Sequence, residues 1–129
     1  MATFTWEHIH LRSPDPEATA RWYEEMLGAE VIRTEQSDGP ARVDLLLGGS
    51  QKVFVAPANP AAMPGPAPDA PYMGLEHIGL TVSDIDAAVA ELKTKGVRFT
   101  LDPTTVRPGV RIAFLRGPEN VSIELIQRG

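Results

Sequence analysis

The chain contains three histidines and no cysteine. Disulfides, cysteine nucleophiles and Cys-zinc sites are therefore excluded, and any metal must be held by imidazole and carboxylate. Two of the histidines stand in the same frame, Glu7-His8-Ile9-His10-Leu11 and Glu76-His77-Ile78-Gly79-Leu80. Side chains alternate between faces along a strand, so His8, His10 and Arg12 share one face, with Ile9 and Leu11 on the other. In the second copy His77, Gly79 and Thr81 fall opposite Ile78, Leu80 and Val82. Near the end of the chain, Val121, Ile123 and Leu125 form an apolar face and leave Ser122, Glu124 and Ile126 opposite. A lone strand histidine is usually structural and a lone strand glutamate usually solvated. Two equivalent imidazoles with one carboxylate, however, make the donor set of one divalent Fe, Mn, Co, Ni or Zn ion: His8, His77 and Glu124.

The same face carries the other candidate groups. His10 is placed to act as general acid or base or as an extra ligand, and a displaced Glu124 could serve as base. Arg12 could anchor a carboxylate or phosphate. Gly79 stands where the first copy has His10 and leaves room for substrate, and Ser122, beside Glu124 on the same strand face, is a further candidate substrate contact.

Positioning these residues requires a duplicated scaffold. At an offset of 69 residues His8 falls on His77, Asp15 on Asp84, Ala18 on Ala87, Arg42 on Arg111, Leu46 on Leu115 and Gly48 on Gly117, the pattern of one module used twice. Each copy reads strand, helix, then three strands. The first helix has Asp15 as N-cap, Pro16 at its first position, an Ala18, Trp22, Met26 stripe and Gly28 as its stop. The second has Ser83 or Asp84 as cap, a buried face of Ile85, Ala88, Val89 and Leu92, Lys93 and Lys95 in its last turn, and Gly96 beyond it. The remaining strands are expected at 30–35, 41–47 and 52–56, and at 98–101, 110–115 and 121–126. Six of the twelve prolines crowd into 57–71, a composition unsuited to helix or central strand. The expected architecture is α+β: a βαβββ module over 3–56, a linker over 57–73 and a second βαβββ module over 74–127. Each mixed sheet curves into a half-barrel trough with its helix outside. One helix covers one sheet face only, so the open faces must pair within the chain or with another copy, which predicts a homodimer.

At 129 residues, 43% apolar and 22% charged, the chain fits one globular domain and none of the disordered, collagenous or disulfide-scaffold classes. Its net charge of −5 carries no long basic block, which argues against nucleic acid and anionic lipid as partners. No apolar run is long enough to span a bilayer, and no basic, apolar leader opens the sequence. A cytoplasmic protein with a small-molecule substrate is expected.

The quoted frames, together with Trp22-Tyr23-Glu24-Glu25-Met26-Leu27-Gly28-Ala29-Glu30-Val31, Thr81-Val82-Ser83-Asp84, Arg111-Ile112-Ala113-Phe114-Leu115 and Ser122-Ile123-Glu124-Leu125-Ile126-Gln127, resemble the vicinal oxygen chelate superfamily over almost the whole chain. That superfamily includes glyoxalase I, methylmalonyl-CoA epimerase, extradiol ring-cleaving dioxygenases, and fosfomycin and bleomycin resistance proteins. Its members place metal ligands on the first and last strand of each module, which carries over to His8, His77 and Glu124. Glyoxalase I and the epimerase would also supply a Glu or Gln from the last strand of the first module, where this chain reads Val53-Phe54-Val55. The resemblance implies an isomerase, epimerase or lyase that stabilises a metal-bound enolate of a substrate with vicinal oxygens. It also admits an Fe(II) ring-cleaving dioxygenase or a metal-free antibiotic-sequestering protein.

Overall fold

A computed structural model describes residues 2–129. Two units divide the chain, 1–64 and 65–129, and each is built as β-α-β-β-β. The first contains β1 (Ile9–Ser13), α1 (Pro16–Leu27), β2 (Glu30–Thr34), β3 (Arg42–Leu47) and β4 (Gln51–Pro57). The second contains β5 (Ile78–Thr81), α2 (Ile85–Thr94), β6 (Phe99–Arg107), β7 (Val110–Arg116) and β8 (Ser122–Arg128). Both sheets are mixed and four-stranded, in the orders β1-β4-β3-β2 and β5-β8-β7-β6. The first and last strand of each unit pair in parallel and the others antiparallel. The parallel pair needs a crossover, and each helix belongs to that crossover.

Each sheet is greasy on its helix side. Val43, Leu45, Leu47, Val53 and Val55 are buried in the first unit, as are Ala113, Leu115, Ile123 and Leu125 in the second. Burial of each large side chain contributes about 1.5–3 kcal/mol. The helices start as their sequences require: the carboxylates of Asp15 and Asp84 accept from the amides of Ala18 and Ala87, both at 3.1 Å. Gly28 ends α1 in the left-handed conformation, φ 69°, which costs glycine little.

Four expectations are corrected. The α1 stripe is Thr19, Ala20 and Tyr23, all buried, whereas Ala18 is exposed and Trp22 and Met26 are half-buried. The i, i+4 spacing of Ala18, Trp22 and Met26 was real but pointed about 100° away from the sheet. Second, β6 continues through Asp102 and Pro103 to Arg107. It is the edge strand, with bulges between Phe99, Leu101 and Thr104, where a residue without an amide proton breaks no ladder. Third, the repeat offset does not stay at 69. Leu45 pairs with Val53 as Leu115 pairs with Ile123, so β3 and β4 correspond to β7 and β8 seventy residues later. A shorter second helix and a longer β6 cause the slip, and Arg42 answers to Ile112 rather than Arg111. Fourth, the proline-rich stretch, of a composition unsuited to helix, holds a 3-10 turn over Pro60–Ala62. Ala58 bonds back to Ser13, while Ala67 and Asp69 are tied to the turn before β8 by Glu119 and Asn120.

Candidate functional site

In the second unit β5 and β8 lie side by side in the register Gly79 with Glu124. His77, immediately before β5, therefore comes next to the Glu124 carboxylate, and His77 Nε2 lies 3.6 Å from Glu124 Oε1. A Cβ at position 79 would stand 3.5 Å from that same oxygen, an ordinary van der Waals contact, so alanine fits there and a larger, branched side chain would crowd the carboxylate. On the other side of the ring His77 Nδ1 lies 2.8 Å from Glu76 Oε1. A carboxylate only accepts, so in this pairing Nδ1 is the donor, and Nε2 is the ring nitrogen that faces Glu124. Glu76 is held in turn, because Tyr72 Oη donates to its carbonyl at 2.9 Å. Phe114 closes the flank, edge-on to His77 with centroids 5.0 Å apart.

These distances suit a metal. Two donors each about 2.0–2.2 Å from one ion stand roughly 3–3.5 Å apart in tetrahedral or octahedral geometry, close to the observed 3.6 Å. A metal-binding histidine normally passes its other ring proton to a carboxylate or carbonyl, the role Glu76 fills. Glu76 is the group that sequence reasoning missed; it was read only as part of the repeated frame.

His8 belongs to the first unit and has different neighbours. Its ring stacks on Phe54, centroids 4.0 Å apart and planes 21° apart, and its Nδ1 is 3.8 Å from Glu7 Oε1. Phe54 pairs in register with His10 as Glu124 does with Gly79, so Phe54 occupies the position equivalent to Glu124. The cross-strand partners complete an exchange. Asp44 is opposite Phe54 in the first sheet, and Phe114 is opposite Glu124 in the second. Carboxylate and phenyl have traded strands between the two units.

Among the described residues no three His, Cys, Asp or Glu side chains are gathered into one metal-binding group. The structure thus brings together His77 and Glu124 and places His8 in a separate unit. His10 is exposed on the open face of the first sheet, its ring centroid 6.1 Å from that of His8. Its pKa is lowered by desolvation from the atoms crowded against the ring, then by the positive charges of Arg12, His8 and Arg42, with Asp44 opposing. Arg12 is exposed, and its Nη1 donates to the Pro57 carbonyl at 3.2 Å. Gly79 is exposed beside Glu124, whereas Ser122 is buried.

A cavity of about 660 Å³ opens on the first unit, lined by His8, His10, Arg42, Asp44, Phe54 and neighbours. No helix among the described residues is long and apolar enough to cross a membrane.

The family model described as "Glyoxalase/Bleomycin resistance protein/Dioxygenase superfamily" matches residues 5–125. The Bacillus subtilis protein YwkD is 30% identical over 125 residues, covering 94% of each chain. The lactoylglutathione lyase GLX1 of Arabidopsis thaliana is 25% identical over 123 residues, covering 95% of this chain and 44% of that one, so the chain spans less than half of that lyase. The solved structure of TnmS3, an antibiotic binding protein from Streptomyces sp. CB03234, superposes with a TM-score of 0.73 at 22% identity, covering 100% of this chain and 99% of that one; this likeness shows the fold.

Proposed function

The chain belongs to the Glyoxalase/Bleomycin resistance protein/Dioxygenase superfamily, and from that premise we propose that it is a metal-dependent enzyme acting on a small molecule with neighbouring oxygens. Isomerisation, epimerisation or lyase chemistry is the reaction class. The observation that carries this reading is the His77–Glu124 pair with Glu76 behind it. His77 Nε2 and Glu124 would hold one divalent ion (Fe, Mn, Co, Ni or Zn). Such an ion supplies Lewis acidity, lowering the cost of negative charge on a substrate oxygen.

The remaining work falls to the chain's own groups. Glu76 keeps the His77 proton on Nδ1 and so keeps Nε2 available. His10, whose pKa is lowered by desolvation and by the charge of Arg12, is the proposed base for a proton next to a carbonyl; Glu124 is the alternative base. Arg12 and Gly79 are the proposed substrate contacts, one by charge and one by leaving space. We propose further that two copies pair as a homodimer in the cytoplasm.

A second reading, a ligand-sequestering protein that uses no metal, is favoured by the Phe54 side chain at the position equivalent to Glu124 and by its stack on His8. Elemental mass spectrometry decides between them. The protein is loaded separately with Fe(II), Mn(II), Co(II), Ni(II) and Zn(II) and compared with His77→Ala and Glu124→Ala. About one ion per chain, lost in both variants, is the expected result; a wild-type protein that retains none of the five supports sequestration instead. Retention of Fe(II) with consumption of oxygen on a catechol would move the assignment to ring cleavage.

A further inference from the structure

We propose that Asn120 is a positioning residue for the His77–Glu124 pair: its side chain ties down the segment 65–76, and that segment sets where Glu76 meets His77. The functional consequence rests on the metal reading above; the geometry rests on hydrogen bonds alone.

The pairing of β5 with β8 starts at Ile78 and fixes the backbone beside Glu124 from there on. Glu76 lies before that ladder, in neither strand nor helix, so strand pairing does not place it. Its carbonyl accepts from Tyr72 Oη across the bend at Met73–Leu75, and Tyr72 in turn belongs to a stretch without regular structure from Gly65 onward. The turn between β7 and β8 grips that stretch. Asn120 Nδ2 donates to the Ala67 carbonyl at 3.0 Å and to Asp69 Oδ1 at 2.9 Å, which uses both protons of the amide group. The Ala67 amide donates back to the Glu119 carbonyl at 2.9 Å.

The grip has a firm base and a short reach. The Gly117 amide donates to the Val121 carbonyl at 2.8 Å, and Arg116 Nη1 reaches the Asn120 carbonyl at 3.4 Å, so the turn is fixed to its own strands. Tyr72 stands three residues beyond Asp69, about 10 Å of chain at full stretch, so holding Asp69 confines Tyr72 and with it Glu76. The turn also leads straight into β8, with Asn120 four residues before Glu124. One side chain thus links the approach to His77 with the strand that carries its partner.

The backbone of the turn separates the two roles this position could have. Glu119 and Asn120 are both left-handed, φ 61° and 62°, a conformation that glycine adopts freely and other residues under strain. A turn shaped only to join β7 to β8 would be served best by glycine at 120. Asparagine tolerates the conformation better than most side chains and adds the two donors.

The test compares the full-length wild type with Asn120→Gly, Asn120→Asp and Tyr72→Phe. Asn120→Gly relaxes the turn and removes the donors, so its urea midpoint should equal or exceed that of the wild type. In the same metal-free protein the Ala67 amide should exchange with solvent about tenfold faster, and the His77 imidazole nitrogen resonances should move. Its Zn(II) affinity, read by chelator competition, should fall about threefold, less than the roughly 10–100-fold set by a group in direct contact with the ligand, because Asn120 acts through Tyr72 and Glu76. Asn120→Asp keeps the size and the turn preference but cannot donate, and should behave as Asn120→Gly does in exchange and Zn(II) affinity. Tyr72→Phe should move the His77 resonances and weaken Zn(II) while leaving Ala67 exchange unchanged. Wild-type Ala67 exchange, unmoved His77 resonances or unchanged Zn(II) affinity in Asn120→Gly would overturn the proposal, as would a loss of affinity that appears only with a lowered urea midpoint. A wild-type protein that retains no Zn(II) refutes the metal reading instead, and the Ala67 and His77 measurements then decide the positioning role by themselves.

Discussion

Removing the Glu76 carboxylate tests whether the second unit is arranged for metal. In the structure Glu76 Oε1 receives the His77 Nδ1 proton at 2.8 Å, while Nε2 looks across 3.6 Å to Glu124. Without the carboxylate the ring is free to rotate and to place its proton on Nε2, which removes the lone pair from the ligand position. Partners of this kind set metal affinity by about 10–100-fold, or about 1.4–2.8 kcal/mol at tenfold per 1.4 kcal/mol. Both side chains are about one-third exposed or less, 34% for His77 and 27% for Glu76, so water screens part of the effect and the lower half of that range is expected. Glu76→Gln, which can still accept at its carbonyl oxygen, should weaken Zn(II) or Ni(II) about threefold to tenfold, and Glu76→Ala about tenfold or more. Competition with a chelator of known affinity measures this directly. The reasoning fails if Glu76→Ala binds the ion as tightly as the wild type while His77→Ala does not bind it.

Other consequences follow from individual side chains. Gly79→Val should weaken the same metal and leave folding intact, because its branched side chain projects toward the Glu124 oxygen that a Cβ would approach to 3.5 Å; Gly79→Ala should change little, and parallel chelator competition and urea unfolding separate the two effects. Tyr23 is wholly buried and its hydroxyl has no partner, and burial raises its pKa. Tyr23→Phe should therefore leave stability unchanged or raise it by about 1 kcal/mol, read from the urea midpoint; a loss of that size would mean the hydroxyl is satisfied. The Glu17 pKa is held down, chiefly by the hydrogen bonds from Arg33. A depressed carboxylate contributes stability above its unfolded pKa and loses it as pH falls through the folded value. Glu17→Gln should thus flatten the fall of the melting temperature as pH drops below the ordinary carboxylate value of 4.5, and an unchanged limb would show that solvent screens this exposed pair completely.

The sequence was most informative where local rules act alone. Asp15 and Asp84 cap helices because their carboxylates reach amides three residues on, and both helices begin where those residues stand. His77 and Glu124 could be brought together in thought because a period of two assigns faces along any strand, and the parallel pairing of β5 with β8 supplied the rest. What was not legible depends on register between strands. Arg42 looked equivalent to Arg111 because a constant offset conceals two length changes that nearly cancel, a shorter helix and a longer, bulged edge strand. The α1 stripe had a similar weakness: Trp22 and Tyr23 are adjacent, and propensity does not say which one faces a sheet that lies elsewhere in the chain.

Correct registration changes the meaning of the missing fourth ligand. Val53-Phe54-Val55 reads along the chain as an interruption of a metal set. Across the sheet, Phe54 has taken the place of a carboxylate and Asp44 stands on the neighbouring strand, the reverse of Glu124 and Phe114. A phenyl ring cannot ligate a metal, but it can stack with an imidazole and receive a guanidinium, and here it does both. The duplicated fold therefore supplies two unlike half-sites from one strand plan. One gathers a histidine, a carboxylate and the acid that orients the histidine; the other gathers cations around an aromatic platform.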